Sequence, residues 1–323
     1  LLEHDGLISA DGYADTMRDT VLPALAACRK DTRLRSFDGN ELFCSSFTGS
    51  GHNGTVAISH GFTECAEKYA ELIYSLLQNG FDVLVWDQRG HGRSARDPEI
   101  SDLSLTHINS FETYVRDMEA ITRGLLPDLP KPWRLFAHSM GGAIAALYLE
   151  AHADTFDKVV LSSPMIAPAT KGVSPIKAKL ICRVPIALGR EKKRLFFSKP
   201  YNGPEDFAAA PSTCLERFQW SDALKASSPL FQNNGPTYRW LLESLNVTKS
   251  ILAPGKVEAV QATVRVYQAE LDASVLPEPQ NIFVQRLQCG ELIVVKGAKH
   301  EIFRSTDDVL FPWWHETLAF LRG

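Results

Sequence analysis

The chain has 323 residues, of which 45% are hydrophobic and 22% charged, a balance that fits a globular protein and excludes a disordered one. A formal net charge of −4 gives no general reason to bind nucleic acid, and no apolar run approaches the roughly 20 residues that cross a bilayer. The first residues, Leu1 to Asp5, show no basic region followed by an apolar run, so no targeting segment is expected in them. The cysteines Cys28, Cys44, Cys65, Cys182, Cys214 and Cys289 are scattered without a CxxC pair or a Cys/His cluster. They read as reduced thiols of a cytoplasmic protein, with no metal and no cofactor expected.

In chain order, residues 31–47 suggest an antiparallel hairpin turning at Asp38-Gly39-Asn40. TVAIS (55–59) reads as a buried strand, residues 66–78 as a helix stopped by Gly80, and DVLVW (82–86) as the next strand. A helix is expected over 111–125, a strand over 133–137, a helix over 143–151 and a strand over 158–161. After a gap come a strand at 263–268, a helix near 279–288, a strand at 292–296 and a last helix near 313–321. Strand–helix alternation predicts an α/β fold with a mostly parallel sheet and helices on both faces. The gap, residues 168–262, is too long for a structureless loop, so it reads as a helical cap inserted into a core of residues 1–167 and 263–323.

In WRLFAHSMGG (133–142) an apolar strand runs into His138-Ser139-Met140-Gly141-Gly142 and then an Ala-rich helix. This is the context of a nucleophile elbow, where a sharp turn exposes a serine hydroxyl and small neighbours let strand and helix pass closely. The helix N-terminus behind Ser139 favours negative charge on a substrate oxygen. A serine nucleophile needs a base, and the base an orienting carboxylate. Downstream of the cap lie His300, in a loop at the end of a strand, and His315, inside the last helix; His300 is the candidate base and His315 a structural residue. Two carboxylates, Glu270 and Asp272, follow the strand at 263–268, and Asp272 is preferred because it lies deeper in the loop. The oxyanion hole requires two backbone N–H groups, assigned to Met140 and, after the turn at Gly61, to Phe62. In DQRGHGRS, Asp87 and Arg89 read as organisers of the loop, and Gly90 and Gly92 as its turning points.

The segments HGFTECAEKY (60–69), DVLVWDQRGHGRS (82–94), FAHSMGG (136–142) and KGAKHEIF (296–303) resemble the monoacylglycerol lipase and lysophospholipase group of α/β-hydrolases, and within it the bacterial lysophospholipase L2 branch. The resemblance covers nearly the whole core and is weak over the cap. It implies an α/β-hydrolase fold, Ser139 as nucleophile, Asp272 as acid, His300 as base, and Phe62 and Met140 as oxyanion donors. It also implies carboxylic ester hydrolysis with a lysophospholipid or monoacylglycerol as substrate. Ala137 stands where the pattern has Gly, and the acid loop 269–272 lacks the usual Gly.

The start of the cap is basic. Lys171, Lys177, Lys179, Arg183, Arg190, Lys192, Lys193, Arg194 and Lys199 alternate with apolar residues, and Glu191 is the sole acid among them. Such a segment suits peripheral contact with an anionic membrane such as the inner membrane, or equally a solvated helix pair packed on the core. The aromatics Phe218, Trp220, Phe231, Tyr238 and Trp240 are candidates for an acyl pocket or for plain core. Competing readings are a hydrolase of small esters or of C–C bonds, and a catalytically silent binding protein.

Overall fold

A computed structural model describes residues 3–323. The N-terminal segment forms α1 (Tyr13–Thr16), a π-helical turn and α2 (Leu22–Cys28), then enters β1 (Arg29–Arg35) and β2 (Glu41–Phe47). The chain continues through β3 (Thr55–Ser59), α3 (Ala70–Gln78), β4 (Asp82–Trp86), β5 (Leu105–Thr106), α4 (Glu112–Leu125), β6 (Trp133–His138), α5 (Met140–Ala151) and β7 (Lys158–Ser162). Next come α6 (Pro175–Ala187), α7 (Leu215–Ser227), β8 (Gly235–Pro236) and α8 (Tyr238–Ile251). The last elements are β9 (Thr263–Ala269), α9 (Pro277–Arg286), β10 (Gly290–Val295) and α10 (Asp307–Arg322).

Eight strands form one sheet in the order β1-β2-β4-β3-β6-β7-β9-β10. The β1–β2 hairpin is antiparallel and β2 meets β4 antiparallel, while every later neighbour is parallel. The central strands are apolar throughout because both faces are covered. Val56, Ile58, Val83, Val85, Phe136 and Val160 face a layer that includes α3 and α10, and Ala57, Leu84, Leu135, Ala137 and Val159 face α4 and α5. Fully burying a side chain the size of Val, Leu, Ile or Phe contributes about 1.5–3 kcal/mol.

Residues between β7 and β9 carry α6, α7 and α8. The C-terminal part of this stretch merges with the main core: Trp240, Val247, Ile251, Val257 and Val260 belong to the cluster around α5. Short β8 also pairs with β5. By contrast α6 packs on α8, through Ala178, Cys182, Leu242 and Leu245. Ser174 caps its first turn by accepting from the Lys177 N–H, with Pro175 at the first position. Ile176, Leu180, Val184 and Leu188, spaced by four, leave an apolar ridge facing solvent, with Ile176 82% and Leu188 68% exposed.

The basic run at 190–194 is not a uniform surface patch. Arg194 is largely buried and bonds Asp102 Oδ2 at 2.8 Å, Ser104 Oγ at 2.7 Å and Asn234 Oδ1 at 3.1 Å. Lys192 bridges Asp97 and Glu99, each at 2.8 Å. These two cations fasten the inserted segment to the loop before β5.

Candidate active site

The centre of the site is dictated by backbone crowding. Ser139 stands between β6 and α5 at φ 52°, ψ −117°, a conformation rare for a residue with a side chain. Such strain costs of the order of 1–3 kcal/mol and persists only where neighbours over-determine it. Here the Ser139 N–H donates to Ser162 O at 3.1 Å, and Ser139 O accepts from the N–H groups of Gly142 at 2.9 Å and Met165 at 2.8 Å. A Cβ on Gly141 would lie 2.1 Å from Ser59 O, so the helix can approach β3 only with glycine there. Ala137 is buried among core residues, and its methyl is accommodated.

β9 and β10 deliver the other two side chains. Asp272 lies just past β9, and its Oδ1 accepts from the N–H groups of Ser274 at 2.7 Å and Val275 at 3.2 Å. His300 follows β10 through a turn at Gly297, where φ is 71°. His300 Nδ1 lies 2.7 Å from Asp272 Oδ2, and Nε2 lies 2.8 Å from Ser139 Oγ. An ionised carboxylate only accepts, so the proton sits on Nδ1 and Nε2 is left to accept from the serine hydroxyl. Burial opposes the charge on Asp272, but the His300 and backbone N–H bonds outweigh it and hold the carboxyl below its ordinary range.

The remaining candidates are placed as follows. Glu270 points outward, paired with Lys296 Nζ at 2.7 Å and accepting from the Gly297 N–H at 2.9 Å. His315 is exposed on α10 and bonds Asp5 at 2.7 Å, outside this cluster. A Cβ on Gly61 would stand 3.1 Å from Ser139 Cβ, so the turn leading to Phe62 passes directly against the serine. The Phe62 ring stacks on Trp240 at 4.0 Å, and Met140 is fully buried behind the elbow. Asp87 accepts from the N–H groups of Ala66 at 2.7 Å and Arg93 at 2.8 Å, and a Cβ on Gly92 would collide with it at 2.1 Å. Arg89 faces away, on Asp117 and Asp38.

A buried polar cluster beneath His300 is absent from the sequence-based assignment. Glu64 Oε2 accepts from the Gly61 N–H at 2.7 Å and the Tyr69 hydroxyl at 2.6 Å. Its Oε1 takes Lys68 Nζ at 2.9 Å, which also reaches Glu301 Oε1 at 2.6 Å, and Glu301 pairs with Arg304. Burial disfavours the charge on Glu64, yet Lys68 and the Tyr69 hydroxyl keep its carboxyl well below its ordinary range. The His138 ring lies 4.8 Å from that of His300, and burial pushes its pKa down to about 4. A neutral His138 places no cation against a proton arriving on His300. Glu64 and Lys68 stand four apart in HGFTECAEKY, but that spacing reads equally as an exposed ion pair.

The family described as serine aminopeptidase, S33 matches residues 50–307. Lysophospholipase L2 of Escherichia coli (strain K12) is 31% identical over 298 residues, covering 85% of this chain and 82% of that protein. Monoglyceride lipase of Mus musculus is 33% identical over 155 residues, 46% of this chain and 48% of that one. Among solved structures, Paleococcus ferrophilus monoacylglycerol lipase superposes with a TM-score of 0.68 at 23% identity, covering 87% of this chain and 98% of that one. Sheet order, elbow and matched segments agree: the chain is an α/β-hydrolase and belongs to the serine aminopeptidase, S33 family.

Proposed function

We propose that the chain is a serine hydrolase of lipid carboxylic esters, foremost a lysophospholipase, acting through an acyl-enzyme on Ser139. The observation that carries this reading is the chain of two short hydrogen bonds, Ser139 Oγ to His300 Nε2 at 2.8 Å and His300 Nδ1 to Asp272 at 2.7 Å, on a strained elbow. Ser139 Oγ attacks the ester carbonyl as His300 Nε2 takes its proton, and Asp272 stabilises the imidazolium. The backbone N–H groups of Phe62 and Met140 receive the oxyanion. His300 then protonates the departing alkoxide, and water repeats the sequence to release the fatty acid.

Residues 1–167 and 263–323 form the catalytic core in this reading, and 168–262 the cap that selects the substrate. Lipid is favoured over small esters by the similarity to the lysophospholipase and the monoglyceride lipase, and by the ridge on α6. Lys177, Lys179 and Arg183 share that helix, and Phe196 and Phe197 are 77% and 64% exposed. This apolar and basic face docks the protein peripherally on an anionic membrane, which we take to be the inner membrane seen from the cytoplasm. Among the described residues no helix is long and apolar enough to cross one.

Turnover of lysophospholipids, monoacylglycerols and short nitrophenyl esters by wild type and Ser139→Ala tests the assignment. Lysophospholipid should be the best substrate, and the alanine variant should lose about 10⁴- to 10⁶-fold in kcat together with fluorophosphonate labelling. Wild-type turnover by the variant would end the serine-hydrolase reading. A preference for monoacylglycerol would move the substrate to the second class.

A further inference from the structure

The turn that follows β3 is held by two side chains outside the Ser139, His300 and Asp272 chain. His60, one residue past β3, is fully buried. Its Nε2 lies 2.8 Å from the backbone nitrogen of Gln88, whose N–H can only donate, so Nε2 carries the lone pair and Nδ1 the proton. Burial pushes the His60 pKa below its ordinary range, which keeps the ring neutral. Nδ1 then donates to Gly61 O at 2.7 Å. From the other side, Glu64 Oε2 accepts from the Gly61 N–H at 2.7 Å.

Gly61 O and the Phe62 N–H belong to one peptide, which is trans, so the two groups point in opposite directions. A ring that fixes the carbonyl therefore fixes the N–H as well. The Phe62 N–H has no acceptor among the described residues. A backbone donor held open beside the nucleophile suits an anion that forms only during reaction. The anchor behind His60 is itself fastened. The Gln88 side chain accepts from Trp86 Nε1 at 3.1 Å and donates to Ser59 Oγ at 2.9 Å. The His91 ring stands edge-on to both His60 and Phe62, at 5.4 and 5.8 Å between centroids. A Cβ on Gly141 would meet His60 O at 2.7 Å, so the start of α5 presses on the same turn.

We propose that His60 is a positioning residue of the oxyanion hole, whose ring transmits the placement of the DQRGHGRS loop to the peptide that carries the Phe62 N–H. Glu64 holds the preceding peptide in the same way. The inference rests on the ester-hydrolase reading above and adds the side chains that aim one oxyanion donor.

Two amide substitutions separate this role from plain support of the loop. His60→Asn puts an NH₂ near the place of Nδ1 and keeps the bond to Gly61 O, but is too short to reach the Gln88 N–H. His60→Gln reaches the place of Nε2 and keeps an acceptor for Gln88, but loses Gly61 O. On a nitrophenyl ester His60→Asn should keep kcat within about fivefold and His60→Gln should lose about 10- to 100-fold, with KM within about threefold in both. Affinity for a trifluoromethyl ketone, whose serine adduct carries the oxyanion, should fall in step with kcat. A Gln variant as active as the Asn variant, or a loss of kcat without loss of ketone affinity, would overturn the proposal. Wild type supplies a readout that needs no variant to fold: imidazole nitrogen shifts should show His60 neutral with its proton on Nδ1, and a proton on Nε2 would overturn the proposal. Wild type that neither turns over nitrophenyl esters nor reacts with a fluorophosphonate would instead end the serine-hydrolase reading.

Discussion

Replacing Asp272 by Asn separates the two carboxylates of the acid loop. Oδ1 of Asp272 accepts from the N–H groups of Ser274 and Val275, and both can only donate. An isosteric Asn must therefore keep its carbonyl oxygen there and turn its NH₂ toward His300 Nδ1, 2.7 Å from the present Oδ2. Two donors cannot share that contact, so the imidazole switches tautomer and Nε2 presents a proton to Ser139 Oγ instead of a lone pair. Wrong-tautomer variants of such triads lose about 10⁴ in kcat, which is about 5 kcal/mol of transition-state stabilisation. Glu270→Gln removes only an exposed pairing with Lys296 and should leave kcat within about threefold. Nitrophenyl ester turnover, read beside circular dichroism to establish folding, measures both. The tautomer argument is refuted if Asp272→Asn keeps a tenth of wild-type activity, or if Glu270→Gln proves the more damaging of the two substitutions.

Gly141→Ala would put a methyl 2.1 Å from Ser59 O, and pushing β3 off α5 should cost about 1–3 kcal/mol in denaturant unfolding and at least about 10² in kcat. An unchanged unfolding midpoint would contradict that close approach. Burial pushes the Glu150 carboxyl up to about 8, only partly offset by Lys256 and Arg286. Between about pH 4.3 and that value the unfolded chain has released a proton that the folded one retains, so stability falls as pH rises through this window. Glu150→Gln should thus match wild type at pH 4 and exceed it by about 1–2 kcal/mol at pH 8, after allowance for partial solvent screening; identical urea midpoints at pH 8 would refute this. Arg217→Met strands Glu71 and Asp307, which Arg217 bonds at 3.0 and 2.7 Å, and should cost about 3–5 kcal/mol. A loss below about 1 kcal/mol in urea melts would show that the cluster relaxes freely.

The strands were legible because both faces of a parallel sheet are buried: TVAIS and DVLVW have no polar face to blur their ends. Chain order and the small residues around Ser139 pointed to Ser139, Asp272 and His300 as the proposed triad, and the structure brings these three side chains within hydrogen-bond distance. The glycines misled by three residues at the start of α5, which begins at Met140 rather than 143, because a glycine pair argues against helix unless one knows what crowds it. The helix expected over 66–78 opens with a 3₁₀ turn at Ala66–Tyr69, drawn in where Asp87 takes the Ala66 N–H. Charged residues were the least legible. Glu64–Lys68 and Glu301–Arg304 are neighbours in sequence, but they sit inside because Lys68 joins the two pairs through Glu301, and Lys192 and Arg194 left the basic run for carboxylates about ninety residues away. No local pattern encodes such pairings. The same holds for Arg217, which gathers Ile8 O, Glu71, Ser305 O and Asp307 from distant segments.

The placement of Asp272 and His300 bears on how the molecule fails. Ser139 rides on β6, in the middle of the sheet, but the proposed acid and base hang from β9 and β10, and β10 is an edge strand with most of its residues at least partly exposed. Edge elements with little burial open at a lower free energy than the centre. A lifted β10 withdraws the base while leaving Trp314, Trp86 and the central strands packed. Ester turnover is then a more sensitive gauge of this molecule's integrity than its tryptophan fluorescence. Preparations that look folded by spectroscopy should be ranked by the fraction of Ser139 that a fluorophosphonate still labels.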